Sequence, residues 1–357
     1  MEPQVMNYQS FYLEVMEKLQ RGFHLESEEA KLCVQGIFQE QLTEIQIAAL
    51  LMRLSAKGES VSEVVGFVHG MRDYAVRLNH QKERLVDTAG TGGDGSGTFN
   101  VSTGAAFVIA GAGVPVAKHG NRAISGRCGS ADVLTRLGVN VDAPKEILEE
   151  CLAETGITFL FAPSFHPAMK MVSRVRKELG VRTIFNLLGP LLNPAGARRQ
   201  IIGVYAPHLT NLLGEALQQL GCEHALVFAG LDGLDEISLG GATKITELKE
   251  GTLKTTMVFP ETFGFSRQPA QEYSGGGVDE NAEILHDVLA LKRHDARSDI
   301  VLLNAAAGIY VAGVAGSIAD GVALARQSLE SGAALEKLKA LIEYTNKKKV
   351  KTIESAT

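Results

Sequence analysis

Three short stretches of this chain carry side chains suited to a phosphorylated ligand. In the first, an apolar run at 85–88 leads into Gly90-Thr91-Gly92-Gly93-Asp94-Gly95-Ser96-Gly97-Thr98, and Asn100-Val101-Ser102-Thr103 follows. Glycines lack the Cβ that would keep a backbone away from an anion. Asn100, Ser102 and Thr103 open a predicted helix whose first N–H groups and dipole favour phosphate. The turn lacks the lysine of a nucleotide P-loop, and its third glycine comes too early for a dinucleotide fingerprint. A tight structural turn would use the same glycines, but the hydroxyl and amide groups that follow suit phosphate oxygens and a cation. The second stretch is Lys118-His119-Gly120-Asn121-Arg122-Ala123-Ile124-Ser125-Gly126-Arg127-Cys128-Gly129-Ser130-Ala131-Asp132. It combines positive charge, hydroxyl donors and glycines, where the bland alternative is a solvated basic loop. The third is Asp232-Gly233-Leu234-Asp235-Glu236. Its adjacent carboxylates repel unless a cation relieves them, and Mg²⁺ takes a few carboxylates together with substrate phosphates and water. An acidic surface turn is the alternative there.

These stretches need a frame that brings them together. Apolar residues at helical spacing predict four short helices in the first eighty residues, with capping boxes at Thr43/Gln46 and Ser60/Glu63. From residue 85 the rhythm becomes strands alternating with helices. Strands are predicted at 85–88, 115–118, 157–161, 200–205 and 225–229. Helices are predicted at 102–111, 130–137, 145–154, 166–179 and 209–220. This alternation predicts an α/β unit with a largely parallel sheet, in which both loops leave the carboxyl ends of strands. Residues 243–260 read as short strands of an antiparallel edge, and 280–292, 298–314 and 318–331 as helices. Within 166–179, proline near the start and Gly180 at the end mark a helix. Arg176 is one of several basic residues there, and taken alone nothing selects it over Lys170, Arg174 or Lys177.

Bulk composition sets the remaining bounds. The chain has 357 residues, 45% hydrophobic and 21% charged, and a formal net charge of -6. That is an ordinary globular composition without a basic block for nucleic acid or an anionic membrane. Cys33, Cys128, Cys151 and Cys222 are scattered, which suits reduced thiols in the cytoplasm. The apolar stretch 300–315 contains Asn304, Gly308 and Gly313, is too short to span a bilayer, and reads as a buried core helix.

At this level of detail the chain resembles the anthranilate phosphoribosyltransferases. The resemblance runs through Gly90 to Asp94, Asn100 to Thr103, Lys118 to Asn121, His166 to Gly180, Arg182-Thr183, Phe185-Asn186-Leu187-Leu188-Gly189-Pro190, Asn193-Pro194, Asp235-Glu236, Glu280-Asn281-Ala282 and Asn304-Ala305-Ala306. It implies a helical dimerisation domain at 1–80 and an α/β domain at 81–357, with a segment near 170–200 packing on the helical part. It implies a homodimer and Mg²⁺-dependent transfer of phosphoribose from 5-phosphoribosyl-1-pyrophosphate (PRPP) to the amine of anthranilate, in tryptophan biosynthesis.

By the same resemblance, Gly90, Gly93, Asp94, Thr98, Asn100, Val101, Ser102 and Thr103 hold PRPP. So do Lys118, His119, Gly120, Asn121, Arg122, Ala123, Ile124, Ser125, Gly126 and Ser130. Gly90, Asn121, His166 and Arg176 contact anthranilate, Arg176 through its carboxylate. Ser102, Asp235 and Glu236 serve the metal. His119 is a candidate weak proton acceptor, with a spectator role as the alternative. The chain departs from the usual pattern at Gly126 and Cys128, where serines are frequent, and at Leu291-Lys292, where a glycine is often found. A pyrimidine nucleoside phosphorylase shares the architecture, but Asp235-Glu236 and the Asn-Val-Ser-Thr run favour the transferase. A non-catalytic nucleic-acid-binding relative would want a basic groove, which the net charge opposes.

Overall fold

Polar caps and apolar stripes set the first four helices: α1 (Tyr8–Gln20), α2 (Ser27–Phe38), α3 (Glu44–Lys57) and α4 (Val61–Arg72). Thr43 and Gln46 form a reciprocal capping box, as do Ser60 and Glu63. Glu63 is buried, and its carboxylate also accepts from Leu25 N–H and from the Lys57 ammonium, both at 2.9 Å. A buried carboxylate satisfied in this way fixes how the chain enters the bundle. This computed structural model describes residues 7–93, 95–123 and 128–347.

Seven strands follow: β1 (Val86–Gly90), β2 (Val116–Gly120), β3 (Ile157–Phe161), β4 (Arg199–Gly203), β5 (His224–Gly230), β6 (Thr243–Lys249) and β7 (Thr252–Val258). They lie in the order β3-β2-β1-β4-β5-β6-β7. The first five are parallel, while β6 and β7 add an antiparallel edge. The five predicted parallel strands and the antiparallel edge are all present, with ends shifted by a residue or two. The strand order reverses between β1 and β4, and a crevice opens beyond the carboxyl ends of strands at such a point.

Between and after the strands run the helices Val101–Gly111, Ser130–Arg136, Lys145–Thr155, Leu209–Gln219, Val278–Leu289, Ala296–Val311 and Ile318–Glu330. A last helix, Ala333–Thr345, was not among the predicted elements. The apolar stretch around residue 300 is the buried Ala296–Val311 helix, which packs on Val101–Gly111 against one face of the sheet. Among the described residues no helix is long and apolar enough to cross a membrane. The four cysteines are free thiols.

The single helix predicted at 166–179 is instead broken. A one-turn helix Ala162–Phe165 is followed by a 3₁₀ turn Pro167–Met169 and then the helix Lys170–Leu179. Proline disfavours helical geometry in the residue before it, and His166 sits at φ -124, ψ 61. On the other face of the sheet a second core joins the four N-terminal helices to Val172, Val175, Ile184, Phe185, Leu187 and Leu188, and onward to Ile202 and Val227. Phe67 of α4 meets Phe185 edge to face at 5.8 Å.

Candidate active site

The glycine-rich stretch leaves the end of β1 at the point where the strand order reverses. Thr91 N–H donates to Gly203 O of β4 at 2.9 Å, and Gly92 N–H donates to Asp235 Oδ2 at 3.0 Å. Thr98 pairs with Ser274 and Gly275 N–H donates to Gly97 O, so the loop is supported from the 274–277 turn as well. Asn100 occupies the N-cap position of Val101–Gly111 without capping it through its side chain. That side chain donates instead to Cys128 O at 3.3 Å and accepts from Asn281 at 3.4 Å. The first N–H groups of the helix are met in other ways: Val101 N–H donates to Phe99 O at 2.8 Å, Thr103 N–H to Asn100 O at 3.1 Å, and Ser102 N–H to Glu236 Oε1 at 3.1 Å. The first loop, the start of its helix and the acidic pair are thereby one cluster.

The acidic pair is held tightly. Glu236 is buried and Asp235 half-buried. A Cβ on Gly203 would lie 1.6 Å from Asp235 O, and one on Gly90 would lie 2.8 Å from Asp235 Oδ2. At Gly203, where the crowding atoms are backbone, only glycine lets the acidic loop come so close. Behind it, Asn304 is fully buried and grips Ile237 twice, accepting from its N–H at 2.9 Å and donating to its carbonyl at 3.1 Å.

Lys118 is an internal cation rather than part of an open loop. It is 4% exposed, and its ammonium donates to Thr88 O at 2.5 Å and to Ser102 Oγ at 3.3 Å. Burial lowers its pKa, while Asp87, Glu236 and Asp235 act the other way. Asp87 is itself fully buried. Burial pushes its carboxyl up to about 6 against the Asn193 side chain, Lys118 and the His119 N–H.

Beyond β2, Asp132 closes the base of the second loop. Its Oδ2 accepts from Ala123 N–H at 3.0 Å and Gly129 N–H at 2.9 Å, and its Oδ1 accepts from the Arg122 guanidinium at 3.0 Å. Burial would raise the Asp132 carboxyl, but these donors outweigh it and hold it below the usual range. Arg122 is thus engaged with Asp132 and also lies over Phe161. Ser130 Oγ donates to Asn121 O at 3.3 Å. Asp94, Ile124, Ser125 and Gly126, named from the sequence as PRPP contacts, lie outside the described residues.

His119 and His166 come together, with ring centroids 5.2 Å apart. His119 Nδ1 is 3.1 Å from Gly189 O, and His166 Nε2 is 3.1 Å from Leu192 O. A carbonyl only accepts, so each of these nitrogens carries the proton and the other nitrogen keeps a lone pair. His119 Nε2 is buried with no hydrogen-bond partner among the described residues. Burial lowers the pKa of His119 to about 3, with His166 adding to the effect, and that of His166 to about 4. Both rings are neutral at pH 7.

Burial separates Arg176 from its neighbours. Lys170, Arg174 and Lys177 are exposed, whereas Arg176 is partly buried, with its guanidinium 5.5 Å from the Phe185 ring centroid. It forms no ion pair among the described residues, while Arg174 pairs with Glu178 and Glu44.

Residues 13–75 match the family described as glycosyl transferase family, helical bundle domain, and residues 82–335 match glycosyl transferase family, a/b domain. An anthranilate phosphoribosyltransferase of Pelotomaculum thermopropionicum is 48% identical over 330 residues, covering 92% of this chain and 95% of the relative. The crystal structure of the Thermus thermophilus enzyme of that name superposes with a TM-score of 0.89 at 43% identity, over 93% of this chain and 99% of that one. The chain belongs to the anthranilate phosphoribosyltransferase family.

The Saccharomyces cerevisiae anthranilate phosphoribosyltransferase, 28% identical, has been solved with PRPP and Mg and with 4-fluoroanthranilate. The TM-scores are 0.85 and 0.84, each over 94% of this chain and 98% of the yeast chain. Within the family member described here, the donor set of Asp235, Glu236 and Ser102 consists of hard oxygens, which suits Mg²⁺. No group of three or more His, Cys, Asp or Glu side chains is placed to hold a metal among the described residues. Such a set fits an ion shared with substrate phosphates rather than an all-protein cage. Sequence reasoning assigned no role to Asp87, Asp132 or Asn304. The last carried a usable signal, since a lone Asn in an apolar helix must find partners. Asp132, four residues past Cys128, could have been found only by knowing that the two ends of its loop meet.

Proposed function

We propose that this protein transfers phosphoribose from PRPP to the amine of anthranilate, releasing pyrophosphate, in tryptophan biosynthesis. One observation carries the reading. The glycine-rich loop, the start of the Val101–Gly111 helix and the Asp235-Glu236 pair meet at the carboxyl end of the sheet through Gly92–Asp235 and Ser102–Glu236 hydrogen bonds. That arrangement has the parts a phosphorylated, pyrophosphorylated sugar requires.

In the reaction the bond from ribose C1 to the pyrophosphate oxygen breaks and a bond from C1 to the anthranilate nitrogen forms. Charge departs with pyrophosphate and cationic character builds on the ribose, so the protein's task is alignment and charge stabilisation. When bound, Mg²⁺ supplies positive charge to the leaving group. Backbone N–H groups of the glycine loop and the helix start bind phosphate oxygens. Lys118, behind Ser102, lends a buried positive charge to that wall and keeps the Ser102 hydroxyl in place. The aromatic amine is neutral and nucleophilic at pH 7 and needs no strong base. With its pKa near 3, His119 accepts a hydrogen bond from the amine and orients it, and the proton lost from nitrogen passes to water. Arg176 holds the anthranilate carboxylate in a bidentate pair, beside Gly90, Asn121 and His166.

The polypeptide divides near residue 80 into a helical unit and an α/β unit, and the protein works as a cytoplasmic homodimer. The dimer contact is the outer surface of α1 and α3. Ile45, 82% exposed, and Met52 lie two turns apart on α3, and Leu13 is exposed on α1. Gln46 bonds to Gln9 across the two helices at 3.2 Å.

The test is to mix protein, PRPP, Mg²⁺ and anthranilate and follow anthranilate fluorescence. Loss of fluorescence with equimolar pyrophosphate release, abolished by EDTA, is expected. Folded protein that leaves the fluorescence unchanged overturns the reading.

A further inference from the structure

The glycine-rich loop is anchored from outside the site by Arg182. This residue lies two positions beyond Gly180, the cap of the helix that carries Arg176. Its guanidinium is stacked over Tyr205, 3.8 Å from the ring centroid, and one of its terminal nitrogens donates to Gly93 O. Tyr205 is bound to the same loop, since its N–H donates to Thr91 Oγ1 at 3.1 Å. The backbone of Arg182 faces the helical unit, where its carbonyl accepts from Ser55 Oγ of α3 at 3.2 Å. Arg182 thus connects the donor loop and the exit of β4 through its exposed side chain, and the bundle through its backbone carbonyl.

The loop needs such an anchor. Gly92, Gly93, Gly95 and Gly97 all have φ between +64 and +74. A chain this rich in glycine has many alternative conformations when free, and ordering it on binding weakens a ligand. A planar guanidinium can stack on a ring and donate along its edge at once. An ammonium in the same place does one or the other. We propose that Arg182 is a positioning residue: with Tyr205 it holds the glycine-rich loop in the shape that receives the donor's phosphate groups. The identity of that donor rests on the function proposed above, whereas the holding of the loop does not.

The experiment therefore has two readouts. Backbone hydrogen exchange by mass spectrometry reads a peptide covering 90–98, and KM is measured for PRPP and for anthranilate. Arg182→Ala and Tyr205→Leu should each speed exchange in that peptide and raise the KM for PRPP about fivefold, the size of one exposed cation–π contact. The KM for anthranilate and exchange elsewhere should stay as in the parent. Tyr205→Phe, which keeps the ring, should match the parent, and Arg182→Lys should restore less than half of the effect. The double variant Arg182→Ala/Tyr205→Leu should be no worse than Arg182→Ala alone, because that change already removes the stack on Tyr205 together with the bond to Gly93 O. Unchanged exchange at 90–98 in Arg182→Ala overturns the proposal, and so does faster exchange throughout the chain. Faster exchange confined to 90–98, with no form of the protein consuming anthranilate, keeps the positioning role and removes the proposed function instead.

Discussion

Three residues, Arg176, His119 and His166, show how burial converts a common side chain into a specific one. Arg176 shares its helix with three other cations, yet it alone is partly withdrawn from solvent, and it makes no ion pair among the described residues, unlike Arg174. A guanidinium poised in that way gains most from a planar carboxylate. Arg176→Ala should raise the KM for anthranilate about tenfold or more, the size of a lost charged hydrogen-bond pair, and leave the KM for PRPP near the parent. Steady-state kinetics with each substrate varied in turn reads this, and the reverse ranking removes Arg176 from the acceptor site. The histidine pair gives a pH prediction. In the fold, His119 and His166 protonate near 3 and 4, against 6.5 when unfolded. Between pH 6.5 and about 4 the unfolded chain binds more protons, so stability falls as pH drops. Asp87 works the other way between about 4 and 6, one group against two. Thermal unfolding of His119→Gln and His166→Gln should lose less Tm between pH 7 and pH 5 than the parent loses. An equal loss would mean that the rings are not buried neutral.

At the scale of elements, the acidic loop after β5 is a part whose position matters as much as its charge. Asp235 and Glu236 accept from Gly92 and Ser102 N–H groups, so they tie their loop to the glycine-rich loop and to the start of the Val101–Gly111 helix. Asp235→Asn with Glu236→Gln keeps an oxygen acceptor at both places and removes two charges. This variant should unfold within a few degrees of the parent and lose about 10²-fold or more in turnover, with the remaining activity needing much more Mg²⁺. Full activity at unchanged Mg²⁺ would reject the metal role. Leu291 is another local feature. The structure places it at φ 53, just past the Val278–Leu289 helix. Its side chain packs against the main core, which offsets a left-handed backbone that leucine adopts at a cost.

For the whole molecule, the main feature is a core shared between the N-terminal bundle and one face of the sheet, with the 172–192 segment between them. The helix of Arg176 and the anchor at Arg182 both belong to that seam. The outer face of α1 and α3 remains exposed, with Ile45 at its centre. Ile45→Lys with Leu13→Lys should convert a dimer to a monomer in light scattering after size exclusion, while the unfolding midpoint of the monomer stays clearly measurable. A monomeric parent, or a variant that remains dimeric, would reject this face as the contact.

Much of this was legible in the sequence because its signals are local. Strand alternation, capping boxes and glycine spacing depend on neighbours a few residues apart, so the parallel strands and the two glycine-bearing loops could be read directly. The helix break at His166-Pro167 is also a local signal, since proline disfavours a helical residue before it. The Ala333–Thr345 helix was missed although its residues favour helix. Other features depend on contacts between distant residues. That Ser102 meets Glu236, that Lys118 points inward, that Asp132 joins both ends of its loop and that Arg182 reaches Gly93 follow from the order β3-β2-β1-β4-β5. The chain alone determined which groups are available for the chemistry. Only the tertiary structure decided which of them are buried, paired or free to act, because burial and long-range hydrogen bonding are properties of packed neighbours that sequence distance does not encode.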